Sequence, residues 1–275
     1  MVIKNIVFSG GGLKGWAYIG TLKALYELID FKNIEQIIGV SIGSVFGLFY
    51  LLQIPYDFIL DIIMNLNFKE LIDIDIDNIL VNQSLINGNN YIEKIKEIIS
   101  TKIDPDITFI ELYHYNKILY TTNALNINNS KIEYFNYKLT PNVKIVDAIM
   151  ASSSLPLLFP PYKINEKYYY DGGLCNNCPV NLIDELESIA FDISHVDSEN
   201  NNNIKLFDLM MSFISISNKI NTINENNLVF QILDSRFKNE VMNINQTRDD
   251  IFNIYMNGYI NSKNSIFDNF IALKN

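Results

Sequence analysis

The chain has 275 residues, 48% of them apolar and 19% charged, which suffices to bury a core and leads us to expect one α/β domain. A net charge of −10 excludes general nucleic-acid binding, since a phosphate backbone requires a basic face, but it leaves room for a local apolar or lysine patch at a membrane. Two cysteines and no signal-peptide pattern at Met1-Val2-Ile3-Lys4 point to a reducing, intracellular setting, cytoplasmic or peripheral at a membrane.

Lys4-Asn5-Ile6-Val7-Phe8-Ser9 is a short, largely apolar run ending at glycines and reads as a buried parallel strand. Gly10-Gly11-Gly12-Leu13-Lys14-Gly15 comes next. A glycine run ahead of a helix bares consecutive backbone N–H groups, which can hold an oxyanion or a phosphate. Apolar residues at helical spacing then predict a helix from Trp16 to Ile29. A second strand, near Gln36 to Val40, delivers Ser41 inside Gly39-Val40-Ser41-Ile42-Gly43. This Gly-x-Ser-x-Gly elbow forces the serine onto a sharp strand-to-helix turn with its hydroxyl clear of the backbone.

Ile37 to Leu52 carries no charge, and Gly39, Gly43 and Gly47 recur every four residues, as on the packing face of a membrane helix. The run is shorter than the ~18 residues of a good spanning candidate. It also lacks a flanking basic cluster, and Pro55 closes it. A buried central helix accounts for the same apolarity. Between residues 55 and 108 the pattern predicts helices around Phe58–Leu66 and Tyr91–Ile99, with the acidic Asp73-Ile74-Asp75-Ile76-Asp77 as an exposed loop. An insertion there is placed to cap a site. Strands are expected at Lys117–Thr122, Lys131–Tyr134, Tyr168–Tyr170 and Ser188–Phe191, and a mainly helical C-terminal part over 205–275. The 38 asparagines and the near-absence of arginine follow an adenine- and thymine-rich coding bias, so Glu199-Asn200-Asn201-Asn202-Asn203 reads as a solvent loop. Cys175-x-x-Cys178 supplies two thiols, too few to close a zinc site without other ligands, and no metal or cofactor is expected.

A nucleophile and a donor nest are two of the three parts of an acyl-transfer site; the third is the base. The chain has two histidines, His114 and His195. Ser41, Asp171 and His195 match the order of an α/β-hydrolase triad, but in that fold several strands precede the elbow, and here only one does. Tyr168-Tyr169-Tyr170-Asp171-Gly172-Gly173 is the stronger source. An aromatic strand ends in an aspartate and two glycines let the backbone turn tightly, so the carboxylate can take the serine proton directly.

With these motifs in hand, the chain resembles the patatin-like phospholipases, lipid acyl hydrolases that use a Ser–Asp dyad without histidine. The resemblance rests on the glycine loop 10–15, the elbow 39–43, and the segment Val146–Pro156 running on to Phe159-Pro160-Pro161. It continues through Tyr170-Asp171-Gly172-Gly173-Leu174 with Asn177 and Pro179, and has smaller echoes at Leu85–Gly88 and Thr108–Leu112. It implies a three-layer α/β/α fold with a mainly parallel central sheet, Ser41 as nucleophile and Asp171 as general base. It implies an oxyanion hole in the loop Gly10, Gly11, Gly12, Leu13, Lys14 and Gly15, chiefly around Gly11 and Gly12, where Lys14 adds positive charge or orients the loop. The implied substrate is a phospholipid at a membrane surface, cut as by a phospholipase A; an activating protein partner is left open.

Rival readings are a soluble carboxylesterase with a His195 triad and a non-catalytic lipid-binding protein at a membrane surface. Gly10-x-Gly12-x-x-Gly15 also matches a dinucleotide-binding fingerprint. That fold places an acidic residue at the end of the second strand, where this chain has Ser41.

Overall fold

The computed structural model describes residues 2–67, 84–183, 187–193, 229–234, 237, 243 and 245–272. Strands β1 (Asn5–Phe8) and β2 (Gln36–Gly39) pair in parallel, with Phe8 beside Gly39. Between them a 3-10 turn, Gly12–Trp16, leads into α1 (Ala17–Leu28). The periodicity placed the helix from Trp16; the α-helix proper begins one residue later because the glycine loop ends in the tighter turn. Helix α2 (Ile42–Leu51) leaves the elbow fully buried. The uncharged run 37–52 is therefore a strand end plus a ten-residue core helix, and among the described residues no helix is long and apolar enough to cross a membrane.

Among the described residues, the 55–108 region and what lies just beyond it hold α3 (Tyr56–Asn65), α4 (Asn89–Ile99) and α5 (Phe109–Asn116). The acidic segment 73–77 lies outside the described residues. Helix α5 starts at a capping box, in which the Thr108 side chain accepts from the Glu111 N–H and Glu111 accepts from the Thr108 N–H. Then come β3 (Leu119–Asn126), β4 (Lys131–Phe135), α6 (Ile145–Ser153), β5 (Tyr162–Ile164), β6 (Lys167–Asp171), β7 (Ser188–Asp192), β8 (Val229–Gln231) and α7 (Arg248–Ala272).

The strand order is β5-β6-β3-β2-β1-β7-β8, with β4 also on β3. The expectation of a parallel sheet holds for β3-β2-β1-β7-β8. Strands β4, β5 and β6 form an antiparallel wing, so the sheet is mixed. The wing is antiparallel because short turns join β3 to β4 and β5 to β6, and only antiparallel neighbours can be linked that way. β8 is a further addition: three residues with no flanking pattern lie inside what read as a helical C-terminal part.

Both faces of β1, β2 and β7 are buried, which explains their largely apolar character. Ile6, Phe8, Ile37, Ile189 and Phe191 enter the main core, while Val7, Ile38, Cys178 and Ala190 form a smaller cluster on the other face. Helix α7 crosses α1 at backbone contact. A Cβ on Gly258 would lie 2.2 Å from the Ala17 carbonyl oxygen, and one on Gly20 2.2 Å from that of Tyr255. Thr21 and Ser262 share a hydrogen bond of 2.8 Å across this crossing.

Candidate active site

Ser41 has φ 52 and ψ −127, a backbone region that L-residues with a side chain rarely adopt. Its neighbours show why the elbow needs glycine on both sides. A Cβ on Gly39 would sit 2.4 Å from the Gly43 carbonyl oxygen, and a Cβ on Gly43 would sit 2.4 Å from that of Phe8 and 2.5 Å from that of Ser9. The start of α2 is thus pressed against the ends of β1 and β2, and the strain at Ser41 is held in place by that packing. Because the clashing atoms are backbone, they cannot swing aside. Gly43→Ala is expected to cost about 3 kcal/mol or more in urea unfolding and to lower activity as the elbow shifts.

The register of β3 explains how Asp171 reaches the serine from the other half of the sheet. Ile38 on β2 pairs with Thr121 on β3, and Asp171 at the end of β6 pairs with Ala124 on β3. Three residues beyond Ile38 is Ser41, and three beyond Thr121 is Ala124, so the two side chains sit at the same height on the sheet. The Asp171 carboxylate lies near enough to the Ser41 side chain for that side chain to favour its charged form. It also accepts the Gly173 N–H at 2.7 Å.

Asp171 is only 4% exposed. Burial pushes its carboxyl from 3.8 up to about 7, against the opposing pull of the nearby Ser41 side chain and the Gly173 N–H. Gly172 has no room for a side chain, since its Cβ would meet Asn123 Oδ1 at 2.1 Å and the Asn123 carbonyl oxygen at 2.4 Å. A carboxyl poised near neutrality, beside a serine on a strained turn, is chemically able to accept a proton at physiological pH.

The glycine loop lies against Ser41. A Cβ on Gly10 would fall 3.1 Å from Ser41 Cβ. The 3-10 turn that starts at Gly12 has no side-chain cap on its leading N–H groups. Gly12 itself has φ 58. Lys14 turns inward and is 1% exposed, and burial lowers its ammonium to about 8.

Three residues that the sequence did not mark as functional tie the parts together. The Ser41 N–H donates to Ser152 Oγ at 2.9 Å, and the Asp171 N–H donates to the Ser154 carbonyl at 2.8 Å, so the end of α6 holds both members of the pair. Asn177 bridges the glycine loop and the aspartate turn: its side-chain amide donates to the Gly10 carbonyl at 3.0 Å, and the Gly10 N–H donates to its carbonyl at 3.3 Å. Ser152→Ala would leave the Ser41 N–H without its partner, and a loss of about 1–3 kcal/mol is expected in thermal or urea unfolding.

His114 is exposed on α5, which feeds the N-terminal end of β3, whereas Ser41 lies past the C-terminal end of the parallel neighbour β2. The two are thus on opposite edges of the sheet. His195 lies outside the described residues. Among the described residues no group of three or more His, Cys, Asp or Glu side chains is arranged to hold a metal ion, and Cys175 and Cys178 are not disulfide-bonded.

Fold, elbow and glycine loop together define a class, and sequence comparison agrees with it. The patatin-like phospholipase family model matches residues 6–184, and the chain belongs to that family. It is 30% identical to a probable lipid hydrolase, 463L, of Invertebrate iridescent virus 6, over 65% of this chain and 62% of that one. It is also 27% identical to triacylglycerol lipase 4 of Saccharomyces cerevisiae, over 70% of this chain but 23% of the yeast protein. The chain thus spans less than two thirds of these curated relatives. Among solved structures, VipD from Legionella pneumophila superposes with a TM-score of 0.56 at 16% identity, covering 98% of this chain and 67% of that one. The type III effector ExoU gives 0.53 at 14% identity, covering 98% of this chain and 53% of that one. Both support the fold.

Proposed function

We propose that this chain is a lipid acyl hydrolase that cleaves carboxylic esters of glycerophospholipids or related lipids, in the manner of a phospholipase A. Ser41 is the nucleophile, Asp171 the general base, and the Gly10–Gly15 loop the oxyanion hole. The observation that carries this reading is the buried Asp171 carboxyl beside the Ser41 side chain, on an elbow that packs against the glycine loop.

The chemistry runs in two steps. Asp171 accepts the Ser41 proton as Oγ attacks the ester carbonyl, and the negative oxygen of the tetrahedral intermediate meets the N–H groups of the glycine turn. As the intermediate collapses, protonated Asp171 gives its proton to the departing alcohol and the acyl group stays on Ser41. Water then attacks the acyl-serine while Asp171 takes its proton, and the fatty acid leaves with Ser41 restored. Fixed donors in a dry site dominate such catalysis; removing one costs on the order of a hundredfold or more.

The relatives named lipid hydrolase and triacylglycerol lipase support a lipid ester as substrate. Fatty-acid release from mixed phospholipid vesicles, resolved by mass spectrometry, tests the reading. Release that depends on Ser41 is the expected result. Turnover confined to short soluble esters, with no vesicle binding, would replace the lipid substrate with that of a soluble esterase.

A further inference from the structure

An apolar turn stands open to solvent next to the residues that hold Ser41 and Asp171, and the steps above make no use of it. Ser152 near the end of α6 takes the Ser41 N–H, Ser154 just past that end takes the Asp171 N–H, and the chain then runs into residues 155–162. Every residue of that stretch is leucine, proline, phenylalanine or tyrosine, yet none is buried. Its backbone is well held. The Leu158 N–H donates to the Leu155 carbonyl at 3.1 Å, and the Phe159 N–H donates to the same oxygen at 2.9 Å. A second segment is bonded to the turn, the Leu85 N–H to the Leu157 carbonyl at 3.0 Å and the Ile86 N–H to that of Leu158 at 2.9 Å. The Phe159 ring rests near Tyr91 of α4, with centroids 6.0 Å apart.

Leu155-Pro156-Leu157-Leu158 has the order of a type II turn, with proline second and a positive φ third, and that third place calls for glycine or asparagine. Leu157 takes it at φ 69, with 44% of its surface exposed. Leu85, bonded to it, is 41% exposed. In water a leucine here is unfavourable twice over, once for the strained backbone and once for the bared side chain. Both features make sense for a side chain that works in an apolar phase. The surroundings in sequence are also uncharged: residues 84–92 and 148–162 contain no Asp, Glu, Lys or Arg, in a chain whose net charge is −10. Such a surface suits a zwitterionic lipid better than a charged protein partner.

We propose that the 155–159 turn, with Leu157 at its tip and Leu85 beside it, is the surface by which this chain docks on a phospholipid bilayer. The proposal rests on the lipid acyl hydrolase reading above and adds to it the face that meets the membrane. Leu157 lies three residues past Ser154, so at most about 11 Å of chain separates it from the residue that anchors Asp171. A bilayer that takes up Leu157 therefore lies alongside the site that acts on its lipids.

Binding is read by flotation with vesicles of dialkyl ether phosphatidylcholine, which carry no ester to cut. Leu157→Gly suits the backbone of the turn and removes only the side chain, with folding checked by urea unfolding. It is expected to bind these vesicles on the order of tenfold more weakly than the wild type. Binding should be nearly independent of salt, since no charge carries it. On ester vesicles, the ratio of turnover there to turnover of a monomeric short-chain ester should fall by a similar factor. Leu157→Trp adds a reporter, because the single native tryptophan, Trp16, is buried. Its emission should move to the blue when vesicles are added. Equal vesicle binding by Leu157→Gly and the wild type would overturn the proposal, as would Leu157→Trp emission that stays unchanged on vesicles that bind. So would equal losses on vesicles and on the monomeric ester, which would make the turn a wall of the acyl site. A dimer that dissociates in Leu157→Gly would give the face to a second copy of this chain. Ester hydrolysis absent from every substrate, with Leu157-dependent binding intact, would instead sink the hydrolase reading alone, so the two failures are distinguishable.

Discussion

Ser41→Ala and Asp171→Asn are each expected to cut ester hydrolysis by on the order of a thousandfold or more, with the fold intact. In the proposed reaction Ser41 supplies the atom that becomes acylated, and Ala leaves nothing to attack. Asp171→Asn keeps the shape and an oxygen to accept the Gly173 N–H, but an amide cannot hold the serine proton. Such residues act as a unit, so the double variant should lose little more than either single one. His114→Ala should retain full activity, because His114 stands at the opposite edge of the sheet from the elbow. Initial rates of fatty-acid release, with circular dichroism as the folding control, check all four.

The second large effect is that pH moves activity and stability in opposite directions. The Asp171 carboxyl titrates near 7 in the folded chain, because burial disfavours its charge. As a base it must be ionised, so kcat/KM should rise about tenfold per pH unit up to about 7 and then level off. The folded state holds that proton to higher pH than the unfolded chain, where the ordinary value of 3.8 applies. Between about pH 4 and 7 the folded state therefore binds more protons, and this group's contribution to stability falls as pH rises through that window. At about 1.4 kcal/mol per unit, the penalty at pH 8 is on the order of 2–4 kcal/mol. Asp171→Asn removes it. The variant should unfold at higher temperature than the wild type at pH 8 and at nearly the same temperature near pH 4. Equal melting differences at both values would show that the carboxyl is not strained by burial. The gain and the loss of activity would come from one residue, as happens where a site stores an unfavourable charge for use.

How legible each part was in the sequence depends on how local its physics is. The elbow was legible because its constraint is short-range: Gly39 and Gly43 must lack side chains for α2 to touch β1 and β2, and that requirement writes itself as a five-residue pattern. Asp171 was legible only in company, since Asp-Gly-Gly is ordinary turn chemistry until an elbow and a glycine loop precede it. Ser152 and Asn177 were not legible as functional. Their contacts to Ser41 and Gly10 span 111 and 167 positions, and neither needs an unusual residue type. Asn177 stood out only as part of the family pattern, with no role attached to it. The antiparallel wing escaped notice for a related reason. Alternation marks strands but not their direction, which depends here on the two-residue turn Asn165-Glu166 between β5 and β6. Asn165 sits there at φ 54, a value that asparagine tolerates well.

The central claim is that Asp171, and no histidine, activates Ser41. A fluorophosphonate reacts covalently with a serine hydroxyl only when a base activates it, so labelling followed by peptide mass spectrometry reads that activation directly. The account predicts an adduct on Ser41 in the wild type and in His195→Ala at similar rates, and none in Asp171→Asn. Labelling that persists in Asp171→Asn but is lost in a folded His195→Ala would contradict it and put His195 in the place of the base.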